Sequence, residues 1–299
     1  MIKTTPAIIT NDKTKNKIVV TGGLGFVGTH TSKALRERGY IVLDYDLKQG
    51  MDIRIFEQIY AVIQPGDKVL HLAAIARFSE ADQDPLNAYV TNVDGTYHVA
   101  QACEIKGAER LVYSSTGSVY MPIQEEPPIT EKFGAKGNSV YGCSKYIGEL
   151  WIKNECDKVP YIILRYAHLY GEGKIGHGAI GGFIDRMNRG LAPTLYGGAQ
   201  SNDFTYILDI VQANILALEA PKKAWNQEYN IGTGYELTTE EVFIQLQKFF
   251  KYDKEFERLE QRTVDANRFV YDISRARKFL GYKPQFNFEQ GMKDWYDKK

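Results

Sequence analysis

Cysteine is scarce in this chain: three residues in 299 (Cys103, Cys143, Cys156), far apart and with no C-x-x-C pair. That excludes a disulfide framework or a thiolate zinc site and fits the reducing cytoplasm. The five histidines (His30, His71, His98, His168, His177) show no H-E-x-x-H or other ligand spacing, so no metal site is predicted. No apolar run reaches the length of a membrane span, because charged or polar residues interrupt every candidate. The N-terminal "MIKTTPAIITNDKTKNK" lacks the apolar core and small-residue cleavage site of a secretory signal and reads as a short extension. Neither sign of charge dominates, with 37 basic against 37 acidic residues, which argues against nucleic acid or an anionic membrane as partner. Internal repeats and low-complexity segments are also missing.

What the chain does have is length and apolar content enough for one large α/β unit or two domains. Apolar, β-rich runs stand at 17–21, 40–46, 68–73, 110–115 and 160–166, separated by amphipathic helical patterns near 26–38, 54–63, 85–106 and 138–156. Strands that are apolar throughout are buried on both faces, as in a parallel sheet covered by helices. The alternation predicts a doubly wound α/β domain over residues 1–170. Beyond Gly171 the regularity fades. The glycine-rich "GEGKIGHGAIGGF" (171–183) reads as a mobile loop over a cleft. It is followed by a helix (183–189), a strand (204–207), a helix (209–219), a strand (228–232), a helix near 239–250 and a helix within 272–284 ending at Gly281. Residues 171–299 are expected to form mainly a smaller second domain, with segments near 204–232 returning to the first.

Three constellations carry chemistry. The first is "TGGLGFVG" (Thr21–Gly28), between the first strand and the first helix. A strand, a glycine turn and a helix N-terminus form an anion site, where backbone N–H groups face a pyrophosphate that missing Cβ atoms allow to come close. An acid about 20 residues further on binds both ribose hydroxyls and repels a 2′-phosphate. Asp46 is the better placed candidate, with Asp44 read as a solvated strand residue. This predicts a Rossmann-like fold and NAD rather than NADP. The second is "YGCSK", where Tyr141 and Lys145 at i and i+4 share a helix face. A positive charge beside a phenol lowers its pKa toward what a general base needs. The third is "YSSTGSVY" (Tyr113–Tyr120), which sets the hydroxyls of Ser114, Ser115 and Thr116 where ligands of open α/β sheets bind.

In order and spacing these motifs, with "HLAA" (71–74), "DPLNAYVTNVDGT" (84–96), "LRYAHLYG" (164–171), "YNIGTG" (229–234) and "DISRARKFLGYKP" (272–284), resemble the extended short-chain dehydrogenases/reductases. The similarity is to their NAD-dependent nucleotide-sugar epimerase/dehydratase family, from about Lys17 to the C-terminus. The resemblance implies that Tyr141 takes a proton from a sugar hydroxyl while NAD takes hydride from the same carbon. It makes Lys145 the group that binds the nicotinamide ribose and lowers the tyrosine pKa, and Thr116 the hydrogen-bond partner of the reacting oxygen. It assigns Gly22, Gly25, Phe26, Val27 and Gly28 to the pyrophosphate loop, Asp46 to the adenosine ribose, and Asp52 and Ile53 to the adenine. Leu72, Ala73, Ala74, Ser114, Tyr166 and His168 would line the cofactor, with Asn92 supporting the strand ends. Gly117, Ser118, His168, Tyr206 and Arg262 would join Thr116 and Tyr141 around the substrate, with Arg262 on its diphosphate.

Family dehydratases carry acids directly after the threonine. Here Gly117-Ser118 stands there, which implies simple epimerisation, commonly at C4. A nucleotide-sugar reductase or dehydratase is the enzymatic alternative, and a catalytically silent NAD-sensing regulator the non-enzymatic one. Two positions depart from the family pattern: His168 replaces an asparagine and Asn202 an arginine. The helices near 85–106 and 138–156 resemble the pair that forms the family's dimer interface, with Val90, Val93, Val99, Ile147 and Trp151 shared across it.

Overall fold

The computed structural model describes residues 17–123, 126–174, 178–260 and 267–297; the N-terminal extension and Arg262 lie outside them. Five strands from the first half, β1 (Ile18–Thr21), β2 (Val42–Tyr45), β3 (Lys68–His71), β4 (Arg110–Thr116) and β5 (Tyr161–Tyr166), form one sheet with a sixth, Gln227–Ile231. From one edge to the other the order is β2, β1, β3, β4, β5 and the sixth strand, with every pair parallel.

The unbroken apolar runs follow from this arrangement. Ile18 and Val20 point into one hydrophobic cluster with Leu35 and Ile210, while Val19 points into the other with Ile59, Val99 and Ile163. Helices α1 (Phe26–Glu37) and α8 (Ile207–Leu218) pack together on the first face. Helices α2 (Phe56–Val62), α5 (Gly95–Lys106) and α6 (Val140–Glu155) cover the second. Both faces are covered, so the sheet reads as apolar throughout. This is the Rossmann-like doubly wound architecture predicted from the alternation.

Local chemistry sets the helix ends. Asp84 caps α4 (Pro85–Tyr89) by accepting from Asn87 N at 3.1 Å, with Pro85 in the first turn. Ser139 Oγ does the same for α6, accepting from Gly142 N at 3.0 Å. The expected single helix over 85–106 is interrupted: a π-helical turn, Val90–Asp94, separates α4 from α5. Two helices escape the sequence pattern, α3 (Phe78–Gln83) and the C-terminal Phe288–Asp297. Helix α7 spans Gly178–Asn188, so the second half of the glycine-rich stretch is helical rather than loop; residues 175–177 lie outside the described residues.

The chain after β5 adds short strand pairs, His168–Tyr170 with Phe204–Tyr206 and Ser201–Asn202 between Leu237–Thr238 and Arg268–Phe269. Asp203, fully buried between two of these, accepts from Thr233 N (2.8 Å), Thr233 Oγ1 (2.7 Å) and Gly234 N (3.0 Å). It thereby ties the turn after the sixth strand to the smaller layer. Among the described residues, no helix is long and apolar enough to cross a membrane, and no three His, Cys, Asp or Glu could hold a metal ion.

Candidate active site

Strand order reverses between β1 and β3, and the chain leaves these two strands at Gly22 and Leu72. In open α/β sheets such a reversal opens a crevice beyond the strand ends. The glycines there divide by role. Gly22 has φ +69°, and a Cβ on it would stand 2.8 Å from Ala73 N. A Cβ on Gly28 would run into the carbonyl oxygen of Gly22, so Gly28 lets α1 pack against its own turn. Gly25, the N-cap of α1, is different: a Cβ there meets only Gly22 O, at 3.1 Å. Among the described residues no side chain caps α1, and its first turn holds no acid, so the N–H groups at Phe26, Val27 and Gly28 are left for an external anion. The cradle fits a dinucleotide pyrophosphate.

Asp46 lies beside this turn, its Oδ2 accepting from Leu24 N and its Oδ1 from Lys48 N, both at 2.9 Å. Each oxygen keeps acceptor capacity for a ribose hydroxyl. Asp44 is not merely solvated: it accepts from Ser32 Oγ (2.5 Å) and Arg36 Nη2 (2.6 Å) on α1. Asp52 holds Arg54 through both oxygens, which keeps its carboxyl below the usual range, and Ile53 is buried against Gly95. Leu72, Ala73 and Ala74 are partly exposed after β3.

Asn92, on the π-helical turn, binds the Ile75 backbone at both ends (N at 2.8 Å, O at 3.0 Å) and donates to Ser144 Oγ at 2.9 Å. Ser144 Oγ in turn donates to Tyr141 O at 2.8 Å. His71 extends this brace to β1, with Nδ1 2.6 Å from Thr21 Oγ1 and Nε2 3.0 Å from Thr96 Oγ1. Thr96 spends its proton on Asn92 O at 2.6 Å, so His71 donates through Nε2 and accepts through Nδ1. Burial, with the Lys145 charge adding to it, holds His71 neutral.

Thr116, Tyr141 and Lys145 are brought together where β4 meets α6. The Thr116 hydroxyl faces Tyr141 and accepts from Ser118 N at 3.2 Å. Lys145 is buried, its Nζ 4.1 Å over the Tyr113 ring. Ser114 Oγ donates to His71 O at 3.0 Å. The expected lowering of the tyrosine pKa by Lys145 is not what the protein alone produces. Burial pushes Tyr141 up to about 12, with the Thr116 hydroxyl acting the other way. Burial likewise draws the Lys145 ammonium down to about 7, with Glu149 opposing. A desolvated phenol and a desolvated ammonium each favour their neutral forms.

On the substrate side, Gly117 backs onto Phe269, and a Cβ there would collide with that ring and stand 2.8 Å from Tyr271 Oη. Ser118 stays partly exposed, and so does Tyr141, whose ring meets Phe78 edge-on at 5.5 Å. The His168 side chain is exposed, edge-on to Phe269 at 5.3 Å. Asn202 pairs in register with Phe269. The hydroxyls of two expected site residues are held by other side chains. Tyr166 donates to Asn214 Oδ1 at 2.5 Å, and Tyr206 is buried with its hydroxyl on Asp294 Oδ2 at 2.7 Å. The sequence reading missed Phe78, Phe269 and Glu149; only Glu149 had a signal, its i+4 spacing from Lys145 on a helix already predicted.

Sheet, glycine cradle and the Thr116–Tyr141–Lys145 cluster define a dinucleotide-dependent enzyme of the short-chain dehydrogenase/reductase kind. Residues 18–232 match the model of the NAD dependent epimerase/dehydratase family, and the chain belongs to that family. It is 32% identical over 92% of its length to a Methanocaldococcus jannaschii protein provisionally named UDP-glucose 4-epimerase, covering 96% of that protein. The crystal structure of Thermotoga maritima UDP-glucose 4-epimerase with UDP-glucose superposes with a TM-score of 0.87 at 29% identity, covering 94% of this chain and 99% of that one. Thermus thermophilus UDP-glucose 4-epimerase complexed with NAD gives 0.82 at 28% identity, covering 94% and 98%.

Proposed function

We propose that this chain is an NAD-dependent epimerase of a nucleotide-activated sugar and that it inverts C4 through a keto sugar. The observation that carries the reading is the meeting of Thr116, Tyr141 and Lys145 beside the glycine cradle, with Phe269 closing the space an acid at position 117 would need. Relatives and structural neighbours named as UDP-sugar 4-epimerases support it.

NAD, when bound, supplies the acceptor and donor of hydride. Tyr141 takes the proton of the 4-hydroxyl and returns it, Thr116 orients the same oxygen, and Lys145 holds the nicotinamide ribose. Phenolate and ammonium both carry a burial cost, so each gains from a partner of opposite charge arriving in the site. Residues 171–299 supply most of the substrate-facing surface in this reading. A homodimer through α5 and α6 fits the partly exposed Tyr97, Ile147 and Trp151 and the exposed Ile105 and Leu150 there. Val99, fully buried in its own core, has no part in that interface. Three free cysteines, two of them buried, fit a cytoplasmic setting.

The test is incubation with a panel of nucleotide sugars and NAD, with products resolved by chromatography and NMR. A C4-inverted product and no net NADH is the expected result. Net NADH formation with an oxidised sugar would instead favour a reductase run in reverse, and loss of water a dehydratase.

A further inference from the structure

Behind the cluster lies a charge that the proton and hydride transfers do not use. Glu149 follows Lys145 by one turn of α6 and is fully buried. Its Oε1 accepts from Ser115 Oγ (2.5 Å) and Arg165 Nε (2.9 Å), and its Oε2 from Arg165 Nη2 (2.6 Å). Ser115 and Arg165 are register partners in β4 and β5, directly before Thr116 and Tyr166. Arg165 Nη1 also donates to Tyr120 Oη at 2.7 Å, on the turn that follows Thr116. One carboxylate therefore gathers both strand ends, the turn after them and the helix of Tyr141 and Lys145.

Stability alone does not account for the arrangement. Replacing a fully buried ion pair by apolar side chains is often neutral or stabilising, because desolvation offsets the attraction. The neighbour that gains is Lys145. His71 faces it from β3 and Tyr113 from β4, Tyr141 stands one turn before it on α6, and the cationic Arg165 of β5 is bound to Glu149. None of these carries a negative charge while the tyrosines stay protonated, and Glu149 is the group that opposes the lysine's burial. We propose that Glu149, held by Arg165 and Ser115, is a positioning residue that supplies the buried negative charge keeping the Lys145 ammonium protonated toward the dinucleotide. This rests on the reading of Lys145 as a cofactor ligand.

The test is NAD affinity by calorimetry from pH 6 to 9 for the wild-type chain, Glu149→Gln and Glu149→Asp. Wild-type affinity should fall as Lys145 loses its proton. In Glu149→Gln the midpoint should move down by about one pH unit, making binding at alkaline pH about tenfold weaker. Glu149→Asp keeps the charge and should titrate with the wild type even where its Tm falls. A folded Glu149→Gln titrating with the wild type would overturn the proposal, and so would a shift shared by Glu149→Asp. If Glu149→Gln does not fold, Glu149→Gln/Arg165→Gln, which leaves no unpaired buried charge, takes its place. Its midpoint should still move down, though by less because an opposing cation leaves with the carboxylate, and a midpoint at or above the wild type's would overturn the proposal. A wild-type chain that binds no NAD at any pH would overturn the functional reading and this proposal together.

Discussion

At the scale of single residues, catalysis and burial pull in opposite directions. In the proposed reaction Tyr141 and Lys145 would carry charge to act, yet their surroundings favour the neutral forms. If Tyr141 is the base, Tyr141→Phe keeps ring and packing while removing the group that moves the proton. Turnover should fall by about 10²–10⁴-fold with NAD affinity little changed, and near-normal turnover in a steady-state assay would remove Tyr141 from the reaction. Lys145 gives a stability prediction of definite sign. Its folded pKa, about 7, lies below its ordinary 10.5, so the folded chain binds the proton less readily than the unfolded one. Stability should therefore rise with pH between those two values, and the cost is fully present below about 7. Lys145→Met removes that cost. It should raise Tm near pH 6, by about 2–4 °C per kcal/mol recovered, with the gain shrinking toward pH 10. A lower Tm at pH 6 would show that the ammonium is not a burdened group.

At the scale of elements, the glycine turn separates what folding needs from what the ligand needs. Gly22→Ala meets a left-handed φ and the Ala73 backbone, so it should lower Tm and abolish NAD binding together. Gly25→Ala adds a methyl that meets only Gly22 O, where the pyrophosphate would approach. It should bind NAD at least tenfold more weakly in calorimetry with little change in Tm; equal losses in both variants would deny Gly25 its separate role. The turn was legible in the sequence because a strand, glycines at fixed spacing and a helix start are local signals. The strands were legible because burial on both faces leaves an unbroken apolar run. The π-helical turn at Val90–Asp94 was not legible, since nothing local favours it. It is held by Asn92 reaching Ile75 and Ser144, partners 17 and 52 residues away. The hydroxyl partners of Tyr166 and Tyr206 were not legible for the same reason: Asn214 and Asp294 lie 48 and 88 residues off. Arg262 stays an expectation, outside the described residues.

At the scale of the whole molecule, the helix to which the proposed chemistry falls is also left half covered. The inner face of α6 buries Ser144, Lys145, Glu149 and Ile152, while Ile147 and Trp151 stay partly exposed and Leu150 is 46% exposed. The Trp151 ring lies 4.9 Å from Tyr97 of α5, and its Nε1 is buried with no hydrogen-bond partner among the described residues. A second copy packing α5 and α6 against the same pair would cover this stripe by a two-fold arrangement, in which each contact is made twice. Leu150→Glu places a charge in that stripe at a position already open to solvent in the single chain, so it should spare the fold. Light scattering at micromolar concentration should then give twice the chain mass for the wild type and the single mass for Leu150→Glu. Because dimerisation stabilises folded chains by mass action, the variant's Tm should fall and lose its dependence on protein concentration. NAD affinity in the variant reads whether the partner steadies Lys145 through α6. A wild type that is already monomeric would assign the exposed stripe to ordinary surface and leave each site to work alone.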